Sequence, residues 1–305
     1  MLGAGDVEMT AKTEAAAALA DATSDRPLNQ LIKHSIILAY EEDVSPLSRA
    51  LEEEGLHPTT QRASYTEEEL AWPRAVRLFH NHRAAWQRAM TLDGYTLICE
   101  SDYDPCIGMG TFPSFWPLSD PLAFGYLYAG SPRLLALVSD KPYLRAHCSP
   151  LVSYVVNAAV ARILCDFFRD EIERYGTQTY FTFDSHLQWF AMGKGASAFI
   201  PMKNYGEHGG FPNPEHAVHG SPRAGQHRAD NLAGPLHFLP QYSRGSVLRY
   251  LFVRAHSRLL GLGRLLANKW LFSTSVYHHD TAAKARMYGV GLLRLLPSSR
   301  PKALG

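Results

Sequence analysis

Residues 95–104 read Tyr95-Thr96-Leu97-Ile98-Cys99-Glu100-Ser101-Asp102-Tyr103-Asp104. The first half is a short apolar run that fits a buried strand, and the turn signal Asp93-Gly94 precedes it. The second half carries three carboxylates within five residues. In an open α/β sheet, ligands sit beyond the carboxyl ends of the strands. If the segment stays extended, Glu100, Asp102 and Asp104 point the same way, because side chains alternate along a strand. Three carboxylates in one place repel unless a cation holds them, and a hard divalent ion, Mg²⁺ or Mn²⁺, is the matching partner. A solvated acidic turn is the plain alternative.

Upstream, Ser35-Ile36-Ile37-Leu38-Ala39-Tyr40 is another buried-strand run, and 45–54 follows with helical spacing, so 35–54 forms a β-α unit. The stretch 67–90 is helical and broken near Pro73, with Arg77, Arg83 and Arg88 left for solvent. Downstream, 107–122 is a Gly-, Pro- and Phe-rich loop, 123–128 a strand, 149–173 a long helix, 177–183 a strand and 186–192 a short helix. Residues 201–240 are rich in Gly, Pro and His, and such long irregular stretches in compact proteins are functional or disordered. Helix returns over 247–271. This alternation predicts an α/β fold with a mostly parallel sheet.

The chain has 305 residues, 46% hydrophobic and 19% charged, which suits a folded protein and excludes a wholly disordered one. No run reaches the ~18 uncharged apolar residues of a membrane span. Residues 1–27 read as a flexible leader without signal-peptide character. Cys99, Cys106, Cys148 and Cys165 form no CxxC pair, so reduced thiols and a cytoplasmic location are expected. The net charge of +1 hides an asymmetry: residues 1–230 hold 19 basic against 28 acidic residues, and 231–305 hold 11 basic against one acid, Asp280. A basic tail on an acidic body points to a polyanionic partner surface. Within 247–271, Arg249, Arg254, Arg258, Arg264 and Lys269 spread over a wide arc. That leaves two readings open: peripheral contact with an anionic membrane, or packing on the body with snorkelling stems. The aromatic interleaving is too sparse for nucleic-acid stacking. Tyr277-His278-His279-Asp280 reads as a solvated turn.

The segment Asn81-His82-Arg83-Ala84-Ala85-Trp86, about a dozen residues before Leu97-Ile98-Cys99-Glu100-Ser101-Asp102, resembles the start of family 25 glycosyltransferases. These include lipopolysaccharide sugar transferases and the collagen galactosyltransferase domain. Further matches keep the family's order: the small-residue helix in 146–168, Phe183-Asp184-Ser185-His186-Leu187, and Pro201-Met202-Lys203-Asn204-Tyr205-Gly206-Glu207-His208-Gly209-Gly210. The likeness covers roughly 33–215. Asn81 and Ser101 depart from the usual Ser and Asp, and 107–150 and 231–305 match nothing in the family.

The resemblance implies a GT-A-like, Rossmann-type sheet in a catalytic domain over 28–240, with a helical basic extension over 241–305. It implies metal-assisted, inverting transfer of a hexose such as galactose from a UDP-sugar to a glycan or lipid-linked saccharide hydroxyl. Asp102 and Asp104 are then candidate metal ligands, with Glu100 as a third ligand or a support behind them, or Glu100 and Asp102 form the pair; His208 is a further candidate. Asp184 is the candidate base, with helix N-capping as its other role. His82, Tyr205, Glu207, Gly209, Gly210 and Asn213 are the candidate donor-binding residues, the last five in a loop closing over the donor; capping of the helix is the other role open to His82, and tight turns the other use of the glycines. The alternatives are a non-catalytic nucleotide-sugar or glycan binder of the same fold, which Ser101 permits, and a metal-dependent phosphoesterase.

Overall fold

The computed structural model describes residues 26–138, 141, 143–211, 215, 228–273 and 278–296. After a single turn, α1 (Leu28–Leu31), come β1 (Ile32–Ala39), α2 (Ser45–Glu53), β2 (Pro58–Arg62), α3 (Glu67–Leu70), α4 (Arg74–Ala89), β3 (Tyr95–Glu100) and β4 (Tyr103–Pro105). The middle of the chain adds β5 (Ala123–Tyr126), β6 (Arg133–Leu137), β7 (Tyr143–His147), β8 (Ser153–Asn157), α5 (Ala158–Tyr175), α6 (Phe183–Gly193), β9 (Ser197–Pro201) and β10 (Gly206–His208). Helices α7 (Val247–Leu266) and α8 (Thr281–Leu295) follow.

Eight strands form one sheet in the order β2-β1-β3-β8-β5-β9-β7-β6. β1 pairs in parallel with β2 and β3, and β5 with β9, while β8 and β7 run against their neighbours. Six of the eight strands therefore point one way, and the expected mostly parallel α/β sheet is present. Period-two alternation divides the strands between two cores. On one face Ile36, Leu38, Ile98, Tyr154 and Val156 meet Phe79 and Trp86 of α4, Leu164 and Phe167 of α5, and Leu187 of α6. On the other, Ile37, Ala39, Leu97, Cys99 and Val155 meet Leu47 and Leu51 of α2 with Met109, Phe115 and Trp116.

Local chemistry sets the helix boundaries. The break expected at Pro73 separates α3 from α4, and α3 opens with a reciprocal capping box between Thr66 and Glu69. The helix expected over 149–173 is two elements. Its first part is β8, inserted antiparallel between β3 and β5, where β-branched Val155 and Val156 pack on both sides. Asn157 then caps α5, its Oδ1 accepting the Val160 N–H at 3.0 Å. The strand expected over 177–183 is absent, and Phe183 instead opens α6.

The C-terminal segment closes onto this body. Leu134 N–H donates to the Trp270 carbonyl at 2.7 Å and Phe272 N–H to the Leu134 carbonyl at 2.9 Å, which extends the β6 edge by one bridge. Arg294 is buried, and its guanidinium donates to the carbonyls of Pro201 and Met202 and to Asp230. Among the described residues no helix is long and apolar enough to cross a membrane.

Candidate functional site

A cleft of about 1000 Å³ opens at the carboxyl edge of β1 and β3. Tyr40, Glu41 and Glu42 follow β1 into its wall, and Glu100, Ser101 and Asp102 follow β3. Arg74, Arg77, Leu78 and Asn81 line it from α4, Thr182, Phe183 and Asp184 from the start of α6, and His208, Gly210, Phe211, Arg228 and Gln241 from the later loops. A cleft at strand carboxyl ends is where an open α/β sheet binds its ligands.

The three carboxylates do not converge as an extended segment would bring them. Residues 101 and 102 form a turn, which breaks the alternation between β3 and β4. Glu100 instead faces His82, whose Nε2 lies 3.4 Å from its Oε1. Asp102 faces His208, with Nε2 and Oδ2 at 3.0 Å. Asp104 points into the interior and is absent from the cleft lining. The reason lies in the small antiparallel pair β4–β10, which sets Asp104 opposite Glu207 and brings His208 alongside Tyr103.

Electrostatics separate these groups. Burial pushes the Asp104 carboxyl up to about 9, helped by the charges of Glu207 and Asp102, so it is neutral at pH 7. Burial also raises Asp102, but the neighbouring His208 and Arg228 outweigh it, and its net shift is downward. Burial lowers His208, and Asp102 more than reverses this, so the imidazole is raised. The two form an ion pair. Asp184 is half-buried, and burial pushes it up to about 6. It is not the N-cap of α6, a position held by Thr182; its Oδ1 accepts the Ser185 N–H at 2.8 Å within the first turn.

The loop after β10 fits round the carboxylates only because it is glycine. A β-carbon at Gly209 would lie 2.1 Å from Asp104 Oδ2, and one at Gly210 2.0 Å from Asp102 Oδ2. Gly209 N–H donates to the Asp102 carbonyl at 2.8 Å. From the other side the Arg228 guanidinium donates to the His208 carbonyl, and to that of Gly210 at 2.7 Å, and it lies over the Tyr242 ring.

Several expected donor-binding residues are structural instead. His82 is fully buried, with Nδ1 2.9 Å from the Tyr154 hydroxyl, which also accepts the Trp86 indole N–H at 2.6 Å. With the Glu100 carboxylate accepting from Nε2–H, a neutral His82 accepts the Tyr154 hydroxyl proton at Nδ1. His82 thus positions Glu100 and does not reach the cleft. Tyr205 is buried and donates to the Pro113 carbonyl at 3.0 Å. Glu207 is fully buried, accepts the Ala229 N–H at 2.7 Å and pairs with Arg254 of α7. Asn213 lies outside the described residues. Arg77, assigned to solvent by its helical position, faces the cleft. The signal that could have found it was the spacing of Arg74, Arg77, Leu78 and Asn81, which is one helical face.

Among the described residues no group of three His, Cys, Asp or Glu side chains is placed to hold a metal ion. Two suit one. Asp102 Oδ2 and His208 Nε2 stand 3.0 Å apart in their hydrogen bond, a spacing that two cis ligands of a small divalent ion also have, so an ion would take the place of the proton they share, with His208 neutral. Among the described residues, Asp102 Oδ1, Asp104 Oδ2 and His208 Nδ1 are buried without a hydrogen-bond partner. Such ions are often held by one or two protein groups, with substrate phosphates and water completing the shell. Asp102 and a deprotonated His208 are the residues that would hold such an ion at the cleft wall, whereas Asp104 is neutral and turned inward.

No family model and no curated protein matches the sequence. Among solved structures the chain is similar to "a glycosyltransferase involved in the glycosylation of the major capsid of PBCV-1". The likeness covers 55% of this chain and 80% of that one at 11% identity and a TM-score of 0.37.

Proposed function

We propose that the cleft transfers a hexose from a nucleoside-diphosphate sugar, UDP-linked, to a hydroxyl of a glycan or lipid-linked saccharide, with inversion at the anomeric carbon. The observation that carries this reading is the Asp102–His208 pair at the carboxyl edge of β3, with unpartnered polar atoms on both members. Mn²⁺ or Mg²⁺ bound by that pair would supply positive charge against the leaving diphosphate. Glu100, oriented by the buried Trp86–Tyr154–His82 chain, keeps its carboxylate on the same wall. Arg74 and Arg77 offer further positive charge for phosphate oxygens from α4. Arg228 fixes the 208–210 loop and therefore the position of His208.

Asp184 faces the same space, and its raised affinity for protons suits a base that accepts the proton of an acceptor hydroxyl near neutral pH. The reaction so assigned breaks the anomeric carbon–phosphate oxygen bond and forms a bond to the acceptor oxygen, while the acceptor's proton passes to Asp184. The test is release of nucleoside diphosphate from a panel of nucleotide hexoses with Mn²⁺, in the presence and absence of saccharide acceptors. Release that depends on Mn²⁺ and rises with acceptor supports transfer. Metal-dependent cleavage of simple phosphate esters, with no release from any nucleotide sugar, would assign the cleft to a phosphoesterase instead.

A further inference from the structure

Helix α7 is inverted with respect to water. Three of its polar side chains face the body: Ser257 is buried, Arg254 is buried against Glu207, and Arg264 donates to the Ser131 carbonyl at 2.7 Å. Its outer side presents Leu248, Phe252, Leu259 and Leu266, which are 80, 71, 67 and 78% exposed. At 3.6 residues per turn these four form one stripe along the helix. A surface helix ordinarily turns such a stripe to the core. Of the sixteen large hydrophobic side chains exposed among the described residues, eleven fall between 247 and 296. A contiguous apolar surface of this kind marks a docking face.

Charge selects the occupant. Arg249, just after Leu248, and Arg258, just before Leu259, lie on opposite flanks of the stripe, and both are exposed. Residues 231–305 hold 11 Lys and Arg against the single Asp280. Two copies packed stripe to stripe would bring arginine flanks together with no acidic residue in the helix to pair with them, whereas helix pairs usually carry opposite charges there. An anionic bilayer offers acyl chains to the stripe and phosphates to the arginines.

We propose that α7 docks the protein on an anionic lipid bilayer, lying in the plane of the interface with the Leu248–Leu266 stripe toward the acyl chains. The helix starts near the cleft mouth. Arg244 lies over the Phe211 ring at 5.9 Å, and both Phe211 and Gln241 line the cleft. On the transferase reading this would bring lipid-linked acceptors to the cleft, but the docking itself does not rest on that reading.

The test is flotation of the full chain with phosphatidylcholine vesicles, with and without phosphatidylglycerol. The protein should float only with the anionic vesicles, and less as salt is added. The double variant Phe252→Ser/Leu259→Ser should bind on the order of a hundredfold more weakly, with an unchanged melting curve because both side chains are exposed. Arg249→Gln/Arg258→Gln should bind on the order of tenfold more weakly and with a shallower salt dependence. The proposal is overturned if the folded parent ignores anionic vesicles, or if the apolar double variant binds as well as the parent. It is equally overturned if the protein is a dimer that the apolar double variant dissociates, with no vesicle binding, because a second copy then covers the stripe. Flotation needs no donor or turnover, so its failure leaves the reading of the cleft standing.

Discussion

Asp102 and His208 are 106 residues apart in the chain and 3.0 Å apart in space, joined Oδ2 to Nε2 on the wall of the cleft. The contact exists because β10 folds back antiparallel on β4, directly after the turn that ends β3. It ties a loop rich in Gly, Pro and His to the strand end that carries the acidic cluster.

The pair should leave a mark on stability against pH. Asp102 is held below its usual range, so its contribution is present above the unfolded carboxylate value of ~3.9 and is lost as pH falls through the lowered one. His208 is raised, so its contribution is full below the unfolded imidazole value of ~6.5 and is lost as pH rises through the raised one. The pair therefore stabilises most between roughly pH 4 and 6.5. Urea unfolding midpoints measured across pH should show this plateau in the parent and lose it in His208→Gln. An identical pH profile in the variant would mean that the pair contributes nothing.

Asp184 should set the acid limb of turnover. A base raised to about 6 is ionised only above that value, so the rate should climb with pH and level off beyond it. Asp184→Asn should lower turnover by roughly 10²–10⁴ and remove that limb, with donor affinity nearly unchanged. Because Thr182 holds the N-cap position of α6, the same variant should melt close to the parent. A lowered melting temperature with full activity of the folded fraction would reduce Asp184 to a structural residue.

The buried chain behind Glu100 can be cut at its middle. Tyr154→Phe removes the hydroxyl that accepts from Trp86 and donates to His82. Two buried groups lose their partner, at about 1–3 kcal/mol each. Denaturant unfolding should show a loss of roughly 2 kcal/mol or more. A loss under about 0.5 kcal/mol, the ordinary scale of a surface change, would mean the chain does not support the site.

Arginines of α7 should behave in two distinct ways. Arg254 pairs with fully buried Glu207, so Arg254→Met strands a buried carboxylate at a cost of about 3–5 kcal/mol. Arg249 is exposed, and Arg249→Gln should stay within about 0.5 kcal/mol of the parent. Unfolding free energies of the two variants check this directly, and equal values would remove the distinction.

The sequence showed the sheet where the strands are buried and apolar: β1, β3 and β5 overlap the runs legible from Ile36, Leu97 and Ala123. It concealed β2, an edge strand of Pro58, Thr59, Thr60, Gln61 and Arg62 whose polar side chains carry no hydrophobic signal. It concealed β8 because Leu151–Val156 continues into the apolar face of α5, and only Asn157 marks the boundary. In the site, Asp102, His208 and Asp184 were legible as types in order along the chain, and all three line the cleft. The fates of Asp104, Glu207 and Tyr205 were not, because a turn at residues 101–102 decides which way each later side chain points. The inverted face of α7 was equally hidden: a helical wheel gives the stripe, but only Glu207, far away in sequence, shows that Arg254 lies inside.

On the proposed function, Asp102 and His208 hold a divalent ion for a nucleoside diphosphate while Asp104 does not. Calorimetric titration of UDP, with GDP, ADP and dTDP alongside, tests it most directly, using parent, Asp102→Asn and Asp104→Asn proteins with Mn²⁺ or with EDTA. With this assignment the parent binds UDP in a Mn²⁺-dependent way, at least tenfold more weakly in EDTA or in Asp102→Asn, and Asp104→Asn binds like the parent. No binding of any of these diphosphates by the folded parent, or undiminished binding in EDTA and in Asp102→Asn, would contradict it.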